Sequence, residues 1–312
     1  MKVLGISCGR DMGNSEILLK EALMACENKG FEVEMIRLHD LYIKPCLGCN
    51  GCIMSCINGH NGYCHLKGDD MDFFREHFLA SDALIISAPA YNNTAPGLFR
   101  MLGDRCGPSF DREFKRYARD FKGADIDERW FKDRPAGTII VGGGPSTHVQ
   151  TALDFMFHFL KSPKCKLVDQ FAATFCPAPG QVLEHPDYLE RVSKLAENVV
   201  SQVGKKFDEI EWLGGDNFVC PNCHGNAICI DTETGVHCAT CSKPGRFVER
   251  DGKIVVEFFD ELAADDPEYR RQHIINIGKR HDEFREYLKA HSEELHFDKY
   301  KDYDILVKPE RA

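Results

Sequence analysis

Cysteines dominate the chemistry that this sequence could carry. Of its 312 residues, 15 are cysteine. Five of them lie between Cys46 and Cys64, and four more form two CxxC pairs between Cys220 and Cys241. In a reducing compartment such clusters are more typical of metal ligands than of disulfides. We therefore expect two metal-binding segments, and we interpret most of the scattered cysteines as buried free thiols.

The first cluster has the spacing of an iron–sulfur site. Cys46, Cys49 and Cys52 follow C-x2-C-x2-C, which lets three thiolates converge on one face of a cubane. Two cysteines compete for the fourth position. Cys56 completes a bacterial ferredoxin spacing, whose last cysteine serves another cluster in two-cluster proteins, and Cys64 follows further along the loop. The pattern favours a [4Fe–4S] cluster over zinc or thiols without metal.

The second cluster has the spacing of a small metal ribbon. Cys220, Cys223, Cys238 and Cys241 follow C-x2-C-x14-C-x2-C. Two such knuckles close a tetrahedral site and stabilise a domain too small for a large core. Zinc is the favoured ion, and rubredoxin-like iron is the alternative, because four thiolates accept both. Residues 216–262 carry eight acidic and four basic side chains, which disfavours nucleic-acid recognition by this segment.

A candidate phosphate site lies near the N-terminus. The run SCGRDMGNS follows the first apolar stretch and precedes a helical pattern. Such a loop brings free backbone N–H groups, the positive end of a helix dipole and an arginine to one point. The candidate residues are Ser7, Gly9, Arg10, Asn14 and Ser15. The competing interpretation is a plain turn with Asn14 or Ser15 as the helix N-cap. The spacing is neither a Walker A loop nor GxGxxG.

Two further segments could complete a ligand site beside that loop. Pro89, Ala90, Tyr91, Asn92 and Asn93 follow the third apolar strand and suit a flat heterocycle, since the backbone can bond its polar edge while the tyrosine covers one face. An ordinary surface turn is the alternative for this segment taken alone. A glycine run centred on Gly143 follows the fourth strand and would form a third wall by close backbone approach.

The elements that must position these residues alternate along the first two hundred residues. Continuous rather than alternating apolar strands, each followed by a helix, predict a parallel sheet covered on both faces. The predicted strands are 2–7, 32–37, 83–88, 137–141 and 166–173, and the predicted helices are 15–29, 71–79, 97–105, 148–160 and 187–207. The fold class is therefore α/β, with a doubly wound five-stranded parallel sheet.

The remaining segments define the predicted domain organisation. We expect a nucleotide-binding domain over 1–212, with its cysteine-rich loop at 46–64, then the metal ribbon over 216–262 and a C-terminal helix and tail over 263–312. The helix starts at Asp266-Pro267, an N-cap followed by proline, and its apolar face comprises Ile277, His281, Phe284 and Leu288. Residues 111–132 interrupt the strand–helix rhythm and are interpreted as an inserted lid or partner surface, or as a solvated helical excursion.

The order of these motifs resembles a known family. Ser7–Leu19, Pro45–Cys52, Gly68–Met71 and Pro89–Tyr91 together resemble the NAD(P)H-dependent FMN reductase superfamily, which has the flavodoxin-like fold, over roughly residues 1–205. The cysteine loop resembles that of the iron–sulfur flavoprotein branch. In place of the family's usual Gly-Ser-Pro-Arg run, this chain has Ser7–Arg10.

The resemblance implies a bound FMN. It places the FMN phosphate on Ser7, Arg10, Asn14 and Ser15 and the flavin ring against Pro89–Asn93. It also favours Cys64 over Cys56 as the fourth cluster ligand, because Cys64 lies just ahead of Gly68-Asp69-Asp70-Met71, where that branch has its fourth cysteine.

Composition and charge narrow the partners. The formal net charge is −10, so phosphate backbones and anionic lipid repel the chain, and nucleic-acid and membrane binding are disfavoured. No apolar run approaches the roughly 20 residues that cross a bilayer, and the N-terminus lacks the apolar core of a secretory signal. We therefore expect a cytoplasmic protein that acts on small-molecule or protein electron donors and acceptors, as a homo-oligomer.

These observations predict an FMN-dependent oxidoreductase or electron-transfer flavoprotein that couples the flavin to a [4Fe–4S] cluster. NAD(P)H or a ferredoxin would supply the electrons. One alternative is an NAD(P)H-dependent FMN or quinone reductase without a cluster. The other is a zinc-stabilised redox-sensing scaffold. The sequence shows no catalytic acid or base, which electron transfer by a flavin does not require.

Overall fold

The chain folds around a five-stranded parallel sheet. The computed structural model describes residues 1–215, 220–260 and 267–292. The strands of this sheet are β1 (Lys2–Ser7), β2 (Glu32–Arg37), β3 (Ala83–Pro89), β4 (Arg134–Val141) and β5 (Cys165–Ala173). Their order is β2-β1-β3-β4-β5, and every neighbouring pair is parallel. The prediction of a doubly wound, flavodoxin-like sheet is confirmed.

Helices cover both faces of this sheet. The described helices are α1 (Asn14–Asn28), α2 (Gly51–Ile57), α3 (Met71–Ala80), α4 (Gly97–Phe110), α5 (Arg112–Lys122), α6 (Gln150–Lys161), α7 (Pro186–Ser201) and α8 (Pro267–Ala290). Of these, α2, α5 and α8 pack against one another outside the layer that covers the sheet. Alternate residues of each strand enter separate cores. Val3 and Ile85 pack with α1 and α7, while Leu4 and Ile86 pack with α3, α4 and α6. This two-sided burial explains why the strands have continuous apolar sequences.

Residues 111–132, which interrupt the predicted strand–helix pattern, belong to the hydrophobic core that contains Leu4 and Ile86. Helix α5 packs against α2 and α8. The Trp130 side chain is buried, with its ring centroid 5.0 Å from that of Phe110 and 6.0 Å from that of Phe78. The interpretation as a solvated helical excursion was wrong, because Phe114, Ala118 and Trp130 are buried in this core, and a role as a lid or partner surface stays a prediction.

A second, antiparallel sheet carries the four-cysteine segment. Its strands are β6 (Ile228–Asp231), β7 (Gly235–Cys238), β8 (Pro244–Arg250) and β9 (Lys253–Phe258), in sequential order. The sheet docks on the edge strand β5. There the Gln170 side chain donates to the carbonyl of His224 at 2.9 Å, and the His224 ring stacks on Trp212 with centroids 3.8 Å apart.

Helix α8 returns to the first domain. Ile274 is buried and Ile277 packs against the same core, but Phe284 is 55% exposed. The predicted apolar face is therefore covered only in the first half of the helix, where α8 meets α2 and α5. The predicted boundary at residue 216, the predicted helix start at residue 266 and the tail beyond residue 292 lie outside the described residues. In the described segments, no helix is long and apolar enough to cross a bilayer.

Candidate functional site

The loop between β1 and α1 forms a cradle for an anion. The first turn of α1 begins at Asn14, and its backbone N–H groups have no acceptor within the helix, as at any helix N-terminus. A Cβ at Gly9 would lie 2.2 Å from the hydroxyl oxygen of Ser15, so only glycine allows this approach. Ser87 on β3 donates to the Ser15 carbonyl at 2.7 Å and ties the loop to the sheet. The dipole of α1 therefore faces a closely packed glycine loop, which suits a phosphate.

A buried ion pair holds this loop in place. Arg37, the last residue of β2, donates from Nε and Nη2 to the two carboxylate oxygens of Glu16 at 2.7 and 2.8 Å. The hydrogen bonds from Arg37, opposed by burial, lower the pKa of Glu16 to about 2. Arg37 also pairs with Asp11 in the loop at 2.7 Å. Because Arg37 and Lys20 neutralise Glu16, its carboxylate does not leave an uncompensated negative charge beneath the cradle.

The ends of β3, β4 and β5 supply the other walls of a cleft beside the loop. The cleft measures about 350 Å³, within the size range of small-molecule and cofactor sites. The Ala90 N–H donates to the Val141 carbonyl at 2.7 Å, which holds the segment after β3 against β4. Tyr91 is 52% exposed at the rim. The lining residues are Gly9, Arg10, Gly13, Asn14, Ser15, Pro89, Ala90, Tyr91, Val141, Gly143, Cys176 and Pro177.

Most of the sequence-predicted cofactor residues lie together in this cleft, and three do not line it. Ser7 is buried, and its hydroxyl donates to Glu16 at 3.2 Å. Asn92 and Asn93 are exposed in a left-handed turn, with φ of 50° and 60°. Asn14 lines the cleft, but its side-chain amide donates to the carbonyls of Cys176 and Ala178 at 2.9 and 2.7 Å. Asn14 therefore fastens the loop after β5 to helix α1.

Sequence reasoning missed the wall formed after β5. Cys176 and Pro177 line the cleft just beyond the end of that strand. The same signal that singled out the segments after β1, β3 and β4 applies to them, because carboxyl ends of parallel strands share one edge of the sheet.

The cysteine-rich loop has a different geometry. Cys46 and Cys49 are exposed, Cys52 and Cys64 are half-buried, and Cys56 is buried. Burial raises the pKa of the Cys56 thiol to about 11. Throughout the described residues, no three ligand atoms from this loop lie within 4.8 Å of one another. A mononuclear site needs that proximity, whereas a cluster takes each thiolate on a different iron and therefore accepts wider spacing.

A guanidinium group lies beside Cys64. Arg105 on α4 is buried, and its Nη1 donates to the Lys44 carbonyl at 2.8 Å and to Asp69. Its Nε and Nη2 are also buried, and they have no oxygen or nitrogen acceptor in the part of the chain that the structure describes. Although burial lowers it, the hydrogen bond to Asp69 and the nearby Cys64 sulfur raise the pKa of Arg105. Arg105 lines a small cavity together with Cys64 and Arg75. Buried donors without acceptors are costly, so this corner of the loop suits anionic sulfur.

The four cysteines of the ribbon converge as predicted. All four thiols are buried and lie within 4.8 Å of one another. The sulfur of Cys220 lies 3.5 Å from that of Cys241, and the sulfur of Cys223 lies 3.4 Å from that of Cys238. Metal–sulfur bonds of about 2.3 Å in a tetrahedron would separate the sulfurs by roughly 3.8 Å. This group therefore fits a four-coordinate ion with little movement.

Comparison with known proteins decides the family. The profile of the NADPH-dependent FMN reductase family matches residues 1–173, which is more than half of the chain. The chain belongs to this family. Membership makes the protein an FMN-dependent oxidoreductase.

Individual relatives extend the likeness. The chain is 27% identical over 261 residues to the flavone synthase cfoJ of Aspergillus candidus, covering 81% of this chain and 80% of that protein. It is 27% identical over 208 residues to an iron–sulfur flavoprotein of Archaeoglobus fulgidus, covering 66% of this chain and 82% of the relative. A solved flavone reductase superposes with a TM-score of 0.82 and 23% identity, covering 99% of this chain and all of that one. The last likeness shows a shared fold.

The Glu16–Arg37 pair predicts a pH dependence of stability in this FMN reductase family member. The pKa of Glu16 is about 2 in the folded protein, below its ordinary value of 4.5. Because the folded pKa is depressed, the stabilisation is complete above about pH 4.5 and is lost as the pH falls toward 2. Glu16→Gln removes this contribution, so the free energy of unfolding should change less steeply with pH in that window.

The measurement is urea unfolding between about pH 3 and about pH 6. Glu27→Gln, at an exposed position of the same helix, is the matched control and should keep the wild-type slope. An unchanged slope in Glu16→Gln would show that the pair does not hold the loop.

Proposed function

We propose that this FMN-dependent oxidoreductase exchanges electrons between FMN in the cleft and a [4Fe–4S] cluster on the cysteine loop. The observation that supports the proposal is the buried Arg105 guanidinium beside Cys64, two of whose nitrogens have no oxygen or nitrogen acceptor among the described residues. They fit an anionic sulfur site at the predicted fourth ligand. When bound, FMN supplies both two-electron and one-electron chemistry and the cluster supplies one-electron transfer.

The cleft residues divide between the two ends of FMN. Arg10, Ser15 and the backbone N–H groups at the start of α1 would hold the phosphate. Pro89–Tyr91 and Gly143 would border the flavin ring. Ser7 acts on the phosphate only through Glu16, since its hydroxyl is directed to that carboxylate. No side-chain acid or base is assigned, because the lining residues position a cofactor that itself carries the electrons.

Four cysteines of the loop are proposed as the cluster ligands. Cys46, Cys49 and Cys52 would contribute three thiolates, with Cys64 as the fourth. Cys64 is favoured over Cys56 because it shares a cavity with Arg105, whereas the Cys56 thiol is buried with a pKa raised to about 11. A thiol must lose its proton to bind a metal, and burial in apolar surroundings opposes that loss.

The ribbon is proposed to hold zinc as a structural ion. Four buried thiolates at tetrahedral spacing leave no open position for catalysis. Rubredoxin-like iron is the alternative, because the same ligand set accepts it.

A reductase without a cluster is the second candidate, and one observation favours it. The alignment with the fungal flavone synthase covers 81% of this chain, so a continuous match must include the ribbon cysteines. The likeness is therefore not confined to the FMN-binding part, and an aromatic ketone related to flavones is the substrate class it suggests. NAD(P)H would then be the electron donor.

The phosphate assignment predicts the effect of Arg10→Ala. A charge-assisted hydrogen bond contributes about 1.5–3 kcal/mol, so the Kd for FMN should rise roughly tenfold to a hundredfold. Quenching of flavin fluorescence on titration of the FMN-free protein measures it. Lys29→Ala, an exposed lysine just past the other end of α1, should bind FMN like the wild type. Wild-type affinity in Arg10→Ala would contradict the assignment.

The cluster is tested by composition. Protein purified without oxygen should contain about four iron and four acid-labile sulfide per FMN at this site. Cys49→Ser and Cys64→Ser should lose this iron and sulfide but keep FMN. The exposed Cys229→Ser is the matched control and should retain all three components. Loss in Cys56→Ser but not in Cys64→Ser would reassign the fourth ligand, and FMN without sulfide in the wild type would favour the second candidate.

The ribbon ion is tested separately by elemental analysis. We expect about one zinc per chain, which Cys220→Ser should lose together with a lower Tm, because metal binding stabilises a ribbon of this size. The Cys229→Ser variant serves again as control. Iron without labile sulfide and without zinc would identify the rubredoxin-like alternative.

A further inference from the structure

A lysine is buried beneath the cysteine loop. Lys115 on α5 has a side chain with 0% exposure. Its ammonium donates to the Asn61 carbonyl and lies 4.7 Å and 4.9 Å from the ring centroids of Tyr63 and Trp130. Lysine is almost never fully buried unless it is paired with an anion. Within the described residues, no carboxylate forms an ion pair with Lys115.

The carboxylate near Lys115 is that of Asp111, and its oxygens already have other partners. Asp111 contributes a weak attraction, but its side chain accepts from the Glu113 and Phe114 N–H groups and pairs with Arg270 on α8. Burial lowers the pKa of Lys115 to about 8, with Cys56 and Cys52 the main groups that oppose this shift. The ammonium therefore faces thiols rather than a carboxylate.

The position of Gly62 shows how close these groups are. A Cβ placed on Gly62 would lie 2.1 Å from the sulfur of Cys56 and 3.1 Å from the Lys115 ammonium nitrogen. The sulfur and the nitrogen thus lie within about 5 Å of each other. Cys52 precedes Cys56 by one helical turn on α2, so both thiols lie on the face that approaches α5.

We propose that Lys115 is the buried countercharge of the cluster on the cysteine loop. The inference rests on the proposed function. Cys56 is not one of the proposed ligands, so Lys115 is assigned as a positioning residue that acts on the cluster through the proposed ligand Cys52, one turn before Cys56 on α2. A cluster bound by four thiolates carries net negative charge, and that charge grows on reduction. A fixed ammonium in a low-dielectric site stabilises the more negative state preferentially, so it raises the reduction potential of the cluster.

The test variant is Lys115→Met, which keeps the length of the side chain and removes its charge. Lys122→Met, at an exposed position of the same helix, is the matched control. In protein purified with its cofactors, Lys115→Met should shift the cluster midpoint potential downward and leave the FMN midpoint in place. Its cluster should also be lost several-fold faster to an iron chelator. Both quantities should match the wild type in Lys122→Met.

A second comparison separates this role from simple packing. In a Cys49→Ser background, which lacks the cluster, the buried ammonium has no anion to balance, so Lys115→Met should raise the Tm. In the cluster-containing wild type the same substitution should lower the Tm. A lower Tm in both backgrounds would overturn the proposal and assign Lys115 to the hydrogen bond with Asn61.

The two proposals fail in different ways. A wild-type protein with iron and sulfide, but with the same cluster potential in Lys115→Met and Lys122→Met, overturns the countercharge alone. A wild-type protein with FMN and no iron or sulfide overturns the cluster and the countercharge together.

Discussion

The parallel alignment of the five strands is the constraint on which the functional regions depend. Strands joined by right-handed crossovers, with helices on both faces, present their carboxyl ends at one edge. Because β1 and β3 are neighbours, the connection after β1 runs to one side, to β2, and the connection after β3 runs to the other, to β4, which opens a crevice between β1 and β3. The cleft lies at this point, and the polypeptide leading to the cysteine loop leaves the sheet from the same edge, after β2. One topological feature thus serves both candidate redox sites.

A few cations placed close to each site offset the repulsion that a net charge of −10 exerts on anionic ligands. An acidic chain repels an anionic cofactor at long range, so binding must come from cations placed next to the site. Arg37 stabilises the loop between β1 and α1 through its ion pairs with Glu16 and Asp11. Arg105 and Lys115 are the corresponding cations beside the cysteine loop, and both are buried in the protein interior. Burial makes each of these few cations more effective than a surface lysine, because the surroundings screen it less.

The sequence predicts the sheet well because its strands are buried on both faces and therefore have unbroken apolar runs. The four-cysteine site of the ribbon was equally predictable, because it depends on the local spacing of cysteines in the sequence. The cleft was predicted in outline from strand ends, but the orientation of individual side chains was not. Ser7 is a plausible phosphate ligand by position, yet its hydroxyl is directed to Glu16, a contact that depends on how α1 packs. Arg112 and Lys115 appear as solvated charges in the sequence, but Arg112 is buried against Asp133 and the Phe131 carbonyl, and Lys115 is buried where α5 meets α2.

The C-terminal helix gives those buried charges their environment. Helix α8 covers α2 and α5 through Ile274 and Ile277, and its Arg270 engages Asp111. The Lys115 ammonium itself contacts Asn61, Tyr63 and Trp130, and the cover of α8 lies over the helix that carries it. In the proposed arrangement the Lys115 ammonium acts from a fully buried position, where one charge has a large effect on a neighbouring anion. Helix α8 therefore completes the packing around α2 and α5, and under the proposal it affects the cysteine loop through these helices, without contributing one of the proposed ligands.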